Sequence, residues 1–136
     1  MKPWLATYLA TGLVLLAGDV LWLSTMTGIL YRPALGALMA EQPDLVAAAL
    51  FYLVYVFGIV FFAVAPALAS GRWSAALARG AALGLVAYGT YDLTNQATLR
   101  GWPVLVTVVD IAWGVVLTAA AAIAGYLDGR AAARTS

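Results

Sequence analysis

The sequence predicts an all-α integral membrane protein: a four-transmembrane-helix antiparallel bundle with a short outer interfacial segment between the first and second helices. Three features lead there. Of 136 residues, 65% are hydrophobic and 10% charged, against roughly a quarter charged in soluble domains, so a soluble fold of this size has no means of hiding the apolar surface. Four apolar stretches can be drawn, Leu5 to Thr27, Leu45 to Ala69, Ser74 to Leu99 and Val104 to Leu127, each meeting the ~20 residues a helix needs to cross about 30 Å of hydrocarbon. None shows the alternation of a membrane barrel, and open sheets leave backbone groups unpaired in lipid.

The first stretch is too long for the apolar part of a leader peptide and contains Asp19, so it reads as a span. The connection after it, "GILYRPALGALMAEQPD" (Gly28 to Asp44), carries Tyr31, Leu35 and Leu38 at helical spacing. That pattern predicts a short amphipathic helix lying on the outer membrane surface. The second stretch contains the aromatic run "FYLVYVFGIVFF", read as facing lipid and neighbouring helices, and Pro66, which predicts a kink. "ASGRWS" and "LRGWP" are tight turns broken by Gly and Pro, which makes the second, third and fourth helices antiparallel neighbours. The third stretch holds the pair Gly80 and Gly84, with Ala87, Tyr91 and Asn95 extending that face. The fourth holds Gly114, Thr118, Ala121 and Gly125 at similar spacing. Small residues let membrane helices approach closely, so packing is the first reading for all of these glycines. The tail "DGRAAARTS" reads as a polar end that frays. With links this short, residues 1–136 form one domain.

With four spans, Lys2, Arg72, Arg79, Arg130 and Arg134 fall on one side, and Arg32, Arg100, Glu41 and Asp44 on the other. The positive-inside rule then puts both termini in the cytoplasm. A net charge of +1 gives no basic patch for nucleic acid. The absence of Cys and His removes disulfides, thiol catalysis, imidazole relays and haem or zinc sites built on those residues. There is no nucleotide loop, Ser–His–Asp arrangement or EF-hand spacing. No metal site and no particular cofactor is indicated.

Three acids fall within the spans: Asp19, Asp92 and Asp110. Each costs about 2.5–3.5 kcal/mol at a helix centre, less near an interface. Counting at 1.5 Å per residue, all three lie roughly 9–12 Å below the outer boundary, in one layer. "DVLW" and "DIAW" set Trp22 and Trp113 three residues beyond Asp19 and Asp110, and Tyr88, Asp92 and Asn95 share one helix face. Tyr52 reaches the same depth, Tyr55 lies slightly deeper, and Arg32 and Arg100 stand at the rim. Trp4, Trp73 and Trp102 near span ends read as an interfacial belt. Two readings compete: the acids are interhelical glue, or they line a water-accessible pocket open to the outside. Polar contacts between membrane helices average well under about 1 kcal/mol, an expensive use of three acids. Intramembrane acids are site candidates by default, and the pocket reading is preferred.

Together, "GDVLWL", "YRPALGAL", "ALFYLVY", "AYGTYDLTNQATLRGWP" and "VDIAWG" resemble the DUF2177 family of small bacterial membrane proteins, over Leu5 to Tyr126. The resemblance implies four membrane helices and brings no catalytic or ligand residues with it. The motif positions are Asp19, Trp22, Asp92, Asn95, Trp102, Pro103, Asp110 and Trp113.

The expected function is that of an acid-lined, outward-facing intramembrane pocket that binds or transports a small cationic or amphipathic ligand. Its candidate residues are Asp19, Trp22, Tyr52, Tyr88, Asp92, Asn95, Asp110, Trp113 and Arg100. Clustered carboxylates suit a cation or a shared proton, and the aromatic lining suits an apolar or cationic ligand. An enzyme acting on lipid or lipid-soluble substrate, with Asp92 and Asp110 as acid and base, is the first alternative. An accessory subunit whose acids pair with a partner membrane subunit is the second. Beyond the lipid bilayer, a small-molecule or lipid ligand, a homo-oligomer and a partner subunit all stay open.

Overall fold

The computed structural model describes residues 3–135; Lys2, counted above among the cytoplasmic cations, lies outside them. The described chain is all-α, built as four helical rods. The first is α1 (Pro3–Met26), continued by a π-helical turn (Thr27–Tyr31), α2 (Arg32–Leu35) and a 3₁₀ turn (Gly36–Leu38). The second is α3 (Leu45–Ile59), a second π-helical turn (Val60–Val64) and α4 (Ala65–Ser70). The third and fourth are α5 (Trp73–Thr98) and α6 (Val104–Thr135). Pro3–Leu38, Leu45–Ser70 and Val104–Thr135 are long and apolar enough to cross a membrane. α5 matches them in length, with 26 residues, but is less apolar because of its glycines, threonines, Asp92 and Asn95.

Local chemistry sets the ends. Asp44 caps α3, accepting from the Val46 and Ala47 amides at 3.0 Å, which satisfies two donors the helix leaves free. Gly71 takes a left-handed φ of 69° to end α4, and Gly101 takes 73° in the turn before Pro103, conformations a side chain would strain. The two π turns share one cause. Each stops two residues before a proline, Pro33 or Pro66. Proline lacks the amide that would bond the carbonyl four residues back, and its ring crowds that carbonyl, so the wider turn accommodates it. The kink expected at Pro66 takes this form.

α6 is the axis of the bundle, packed against both α5 and α1. The α5–α6 seam depends on glycine. A β-carbon at Gly80 would lie 2.9 Å from the Ala119 Cα, one at Gly84 would strike the Gly114 carbonyl, and one at Gly114 would enter the Tyr88 ring. Gly125 gives the same close approach to Thr11 of α1. The packing expected of these small residues is what the backbones use. Tyr91 does not pack into that seam and is 58% exposed. Below the acids a dry core forms from Leu15, Ile59, Val64, Ala121 and Ala122, at most 1% exposed.

Two expectations change. The tail is not frayed, since α6 runs on to Thr135. Its "RAAAR" segment has strong helix propensity and no proline to stop it, and the Asp128 Oδ2 accepts a hydrogen bond from the Thr7 hydroxyl at 3.1 Å. The segment after α1 is helical, as its spacing predicts, but Tyr31 does not sit on a membrane-facing stripe; it is buried. The π turn rotates it toward the bundle.

Candidate functional site

The rods diverge at the end opposite the termini. α5 packs along Val60–Ser70 of the second rod and scarcely touches Leu45–Ile59. The space left between them, α1 and α6 is a cavity of about 420 Å³, within the size range of a small-ligand site.

Its polar wall comes from three helices. Asp19 of α1, Asp92 of α5 and Asp110 of α6 all line it. They do not converge into one metal-binding group; among the described residues no cluster of three such side chains forms. Asp19 belongs to a network of its own, accepting from the Tyr52 hydroxyl and, at 3.4 Å, from the Trp113 indole. Asp110 accepts from the Tyr31 hydroxyl at 2.5 Å, and Tyr31 in turn accepts from the Trp22 indole at 2.9 Å. Trp22 and Trp113 stack face to face, centroids 4.4 Å apart and planes within 5°, joining the two networks behind the wall. The indoles of "DVLW" and "DIAW" thus cross over: each serves the acid system of the other helix.

Asp92 differs from both. It is 0% exposed, and neither of its carboxyl oxygens meets a hydrogen-bond partner. The Asp110 carboxyl is its one polar neighbour among the groups that act on it, near enough to hydrogen-bond if the two acids share a proton, though no such bond is formed in this arrangement. Buried carboxyl groups in folded proteins are nearly always satisfied, and one that is ionised and unpaired is costly. Either a proton on the carboxyl or a cation beside it would remove that cost.

The rest of the wall is apolar and aromatic. Tyr55 and Tyr88 meet at 6.2 Å on its floor, where the Tyr55 hydroxyl bonds Thr118 at 2.6 Å. Leu35, Met39, Trp102 and Val106 close it on the side away from the termini, as part of a small cluster around Leu30 and Tyr31. Among the described residues no lysine or arginine lines it.

Of the residues proposed from sequence, Asp19, Tyr88, Asp92 and Asp110 line the cavity, while Tyr52 and Trp113 donate to Asp19 and Trp22 donates to Tyr31, the partner of Asp110. Asn95 is half-buried and not itself in the lining, its side chain next to the lining residue Tyr91 and its backbone carbonyl accepting from the Leu99 amide at 2.8 Å where α5 ends. Arg100 is exposed in the turn and does not reach the cavity. Sequence reasoning missed Tyr31 as partner of Asp110, together with Leu23, Thr27 and Phe51 of the lining. It assigned Trp102 to the belt, although that ring lines the cavity and donates to Thr107 at 3.0 Å. Pro33 was the available signal for Tyr31, since it marks where the helix departs from α geometry.

A family model described as predicted membrane protein (DUF2177) matches residues 4–127. The chain belongs to this family. No curated protein and no solved structure matches it. The DUF2177 description agrees with the apolar rods and assigns no ligand, so the chemistry of this member is read from the cavity.

Proposed function

We propose that this DUF2177 protein binds a small cationic or amphipathic ligand in the acid-lined cavity, as a binding or transport module of a bacterial inner membrane. The observation that carries the reading is Asp92: a fully buried carboxyl on a cavity wall, unpartnered, beside a second acid and with no basic residue in the lining. Such a wall repels anions and favours a cation, and aromatic faces such as Tyr55 and Tyr88 add to that preference. Intramembrane acids of this kind mark ligand or proton pathways more often than they serve as glue.

In this reading residues 1–136 act as one domain with both termini cytoplasmic. Arg72, Arg79, Arg130 and Arg134 lie toward the termini, against Arg32 and Arg100 at the cavity end, and the positive-inside rule then turns the cavity toward the outside. The cysteine-free chain suits a direct check: single cysteines at Ser70 and Arg100 are expected to label from opposite faces of intact cells, with Arg100→Cys labelled from outside.

The test of function is thermal unfolding in detergent against a series of organic ammonium ions, for wild type and Asp92→Asn. A ligand at one hundred times its Kd stabilises the folded state by about 2.7 kcal/mol. That stabilisation is expected in wild type and absent in the variant. Equal stabilisation of both proteins, or of neither, counts against the reading.

A further inference from the structure

The cavity has a side as well as a floor and a roof. Its roof is the apolar cluster of Leu30, Tyr31 and Val106, with Leu35, Met39 and Trp102 packed on it. Its floor is the tyrosine pair over the dry core. Apart from that pair, α3 and α5 scarcely touch. Phe51 of α3 and Tyr91 of α5 both line the cavity and are both exposed, 47% and 58%. Leu23 of α1, also in the lining, is 42% exposed. A residue that lines a cavity and faces outward stands at its mouth. Phe51 and Tyr91 each lie roughly 10 Å from the nearer end of their helices, well inside the ~30 Å hydrocarbon layer. The mouth therefore meets lipid.

Resting on the reading of the cavity as a cation site, we propose that its ligand is a lipophilic amine, which passes sideways from the bilayer between Phe51 and Tyr91. The protonated amine sits at Asp92 and Asp110, and a single apolar tail runs out past Phe51 and Leu23. Both ends of such a molecule find complementary surroundings. The ammonium meets the unpartnered carboxyl and the faces of Tyr55 and Tyr88, while the tail stays in an apolar medium throughout. The volume fits one small headgroup with part of one chain, and a lining without lysine or arginine excludes phosphate and carboxylate heads.

The experiment exploits the absence of native cysteine. In the double variant Phe51→Cys, Tyr91→Cys, a bismaleimide with a reducible disulfide in its spacer bridges the mouth, and reductant reopens it. Wild type, Asp92→Asn and the double variant are reconstituted in nanodiscs. Stabilisation against heat is then measured with dodecylammonium, with neutral dodecanol and with tetramethylammonium. Dodecylammonium is expected to stabilise wild type and, more weakly, the open double variant, to lose at least a further tenfold in apparent affinity on bridging, and to return to the open variant's affinity on reduction. Dodecanol is expected to be inert, and Asp92→Asn to respond to nothing. If the bridged protein binds dodecylammonium as well as the reopened one, lateral access is wrong. If dodecanol stabilises equally, the amine is wrong. Asp92-dependent binding of tetramethylammonium alone overturns the lipophilic ligand and leaves the cation site standing. Failure of every ammonium ion overturns both.

Discussion

The two ends of this bundle use acids in opposite ways. Near the termini, Asp128 accepts a hydrogen bond from Thr7; the backbones approach closely at Gly125 against Thr11 and Gly80 against Ala119, beside a smaller cavity that Thr7, Leu68 and Gly129 help line. At the other end the rods part around a cavity, Asp92 is buried with no partner, and the tyrosines and indoles hold Asp19 and Asp110 in place. A structural acid is satisfied by its own helices. In the proposed reading, an acid that its own helices leave unsatisfied on a cavity wall is the group a ligand completes. The contrast teaches that burial alone does not identify a site in a membrane bundle; partnership does.

The largest expected effect breaks the tight end of the comparison. Gly84→Leu forces a side chain into the Gly114 carbonyl, and the rigid seam has nowhere to move. A loss of about 3 kcal/mol or more is expected, visible as failure to give a single peak in size-exclusion chromatography. Next comes the dry core that floors the cavity. Leu15→Ala, at a position 1% exposed, is expected to cost about 2–5 kcal/mol, read as a drop in Tm. Tyr31→Phe acts at the cavity end, removing a donor to Asp110 and an acceptor for Trp22. About 1–3 kcal/mol is expected, with altered tryptophan fluorescence from the stacked indoles. At the small end, Phe51→Ala at the exposed mouth is expected to change stability by less than about 0.5 kcal/mol while weakening a tail-bearing ligand. A large loss of stability there would show that Phe51 holds the helices together and that the mouth is closed.

How much of this was legible in the sequence depends on which interaction placed each residue. The helices and the layer of acids follow from hydropathy and from a fixed rise per residue, so Asp19, Asp92 and Asp110 could be put at one depth before any contact was known. The seam glycines were legible for the same reason, their spacing being a property of one helix. Tyr31 was not. Its helical spacing suggested a surface stripe, and the π turn ahead of Pro33 rotates it inward by an amount no periodicity reports. The crossed pairing of Trp22 with Asp110 through Tyr31, and of Trp113 with Asp19, depends on how α1 and α6 meet. The helical tail was misread because polar composition was given more weight than its alanines.

The most direct test of the central claim uses the two ends as each other's control. The chain has five aspartates, Asp19, Asp44, Asp92, Asp110 and Asp128, few enough for the side-chain carboxyl carbons to be followed individually by NMR after selective ¹³C labelling and assignment through Asp→Asn variants. Titration with dodecylammonium is predicted to move the Asp92 and Asp110 signals saturably and to leave Asp128 and Asp44 where they were. Signals of Asp92 and Asp110 that stay fixed, or that move no more than Asp128, would contradict the claim that Asp92 is the group a ligand completes.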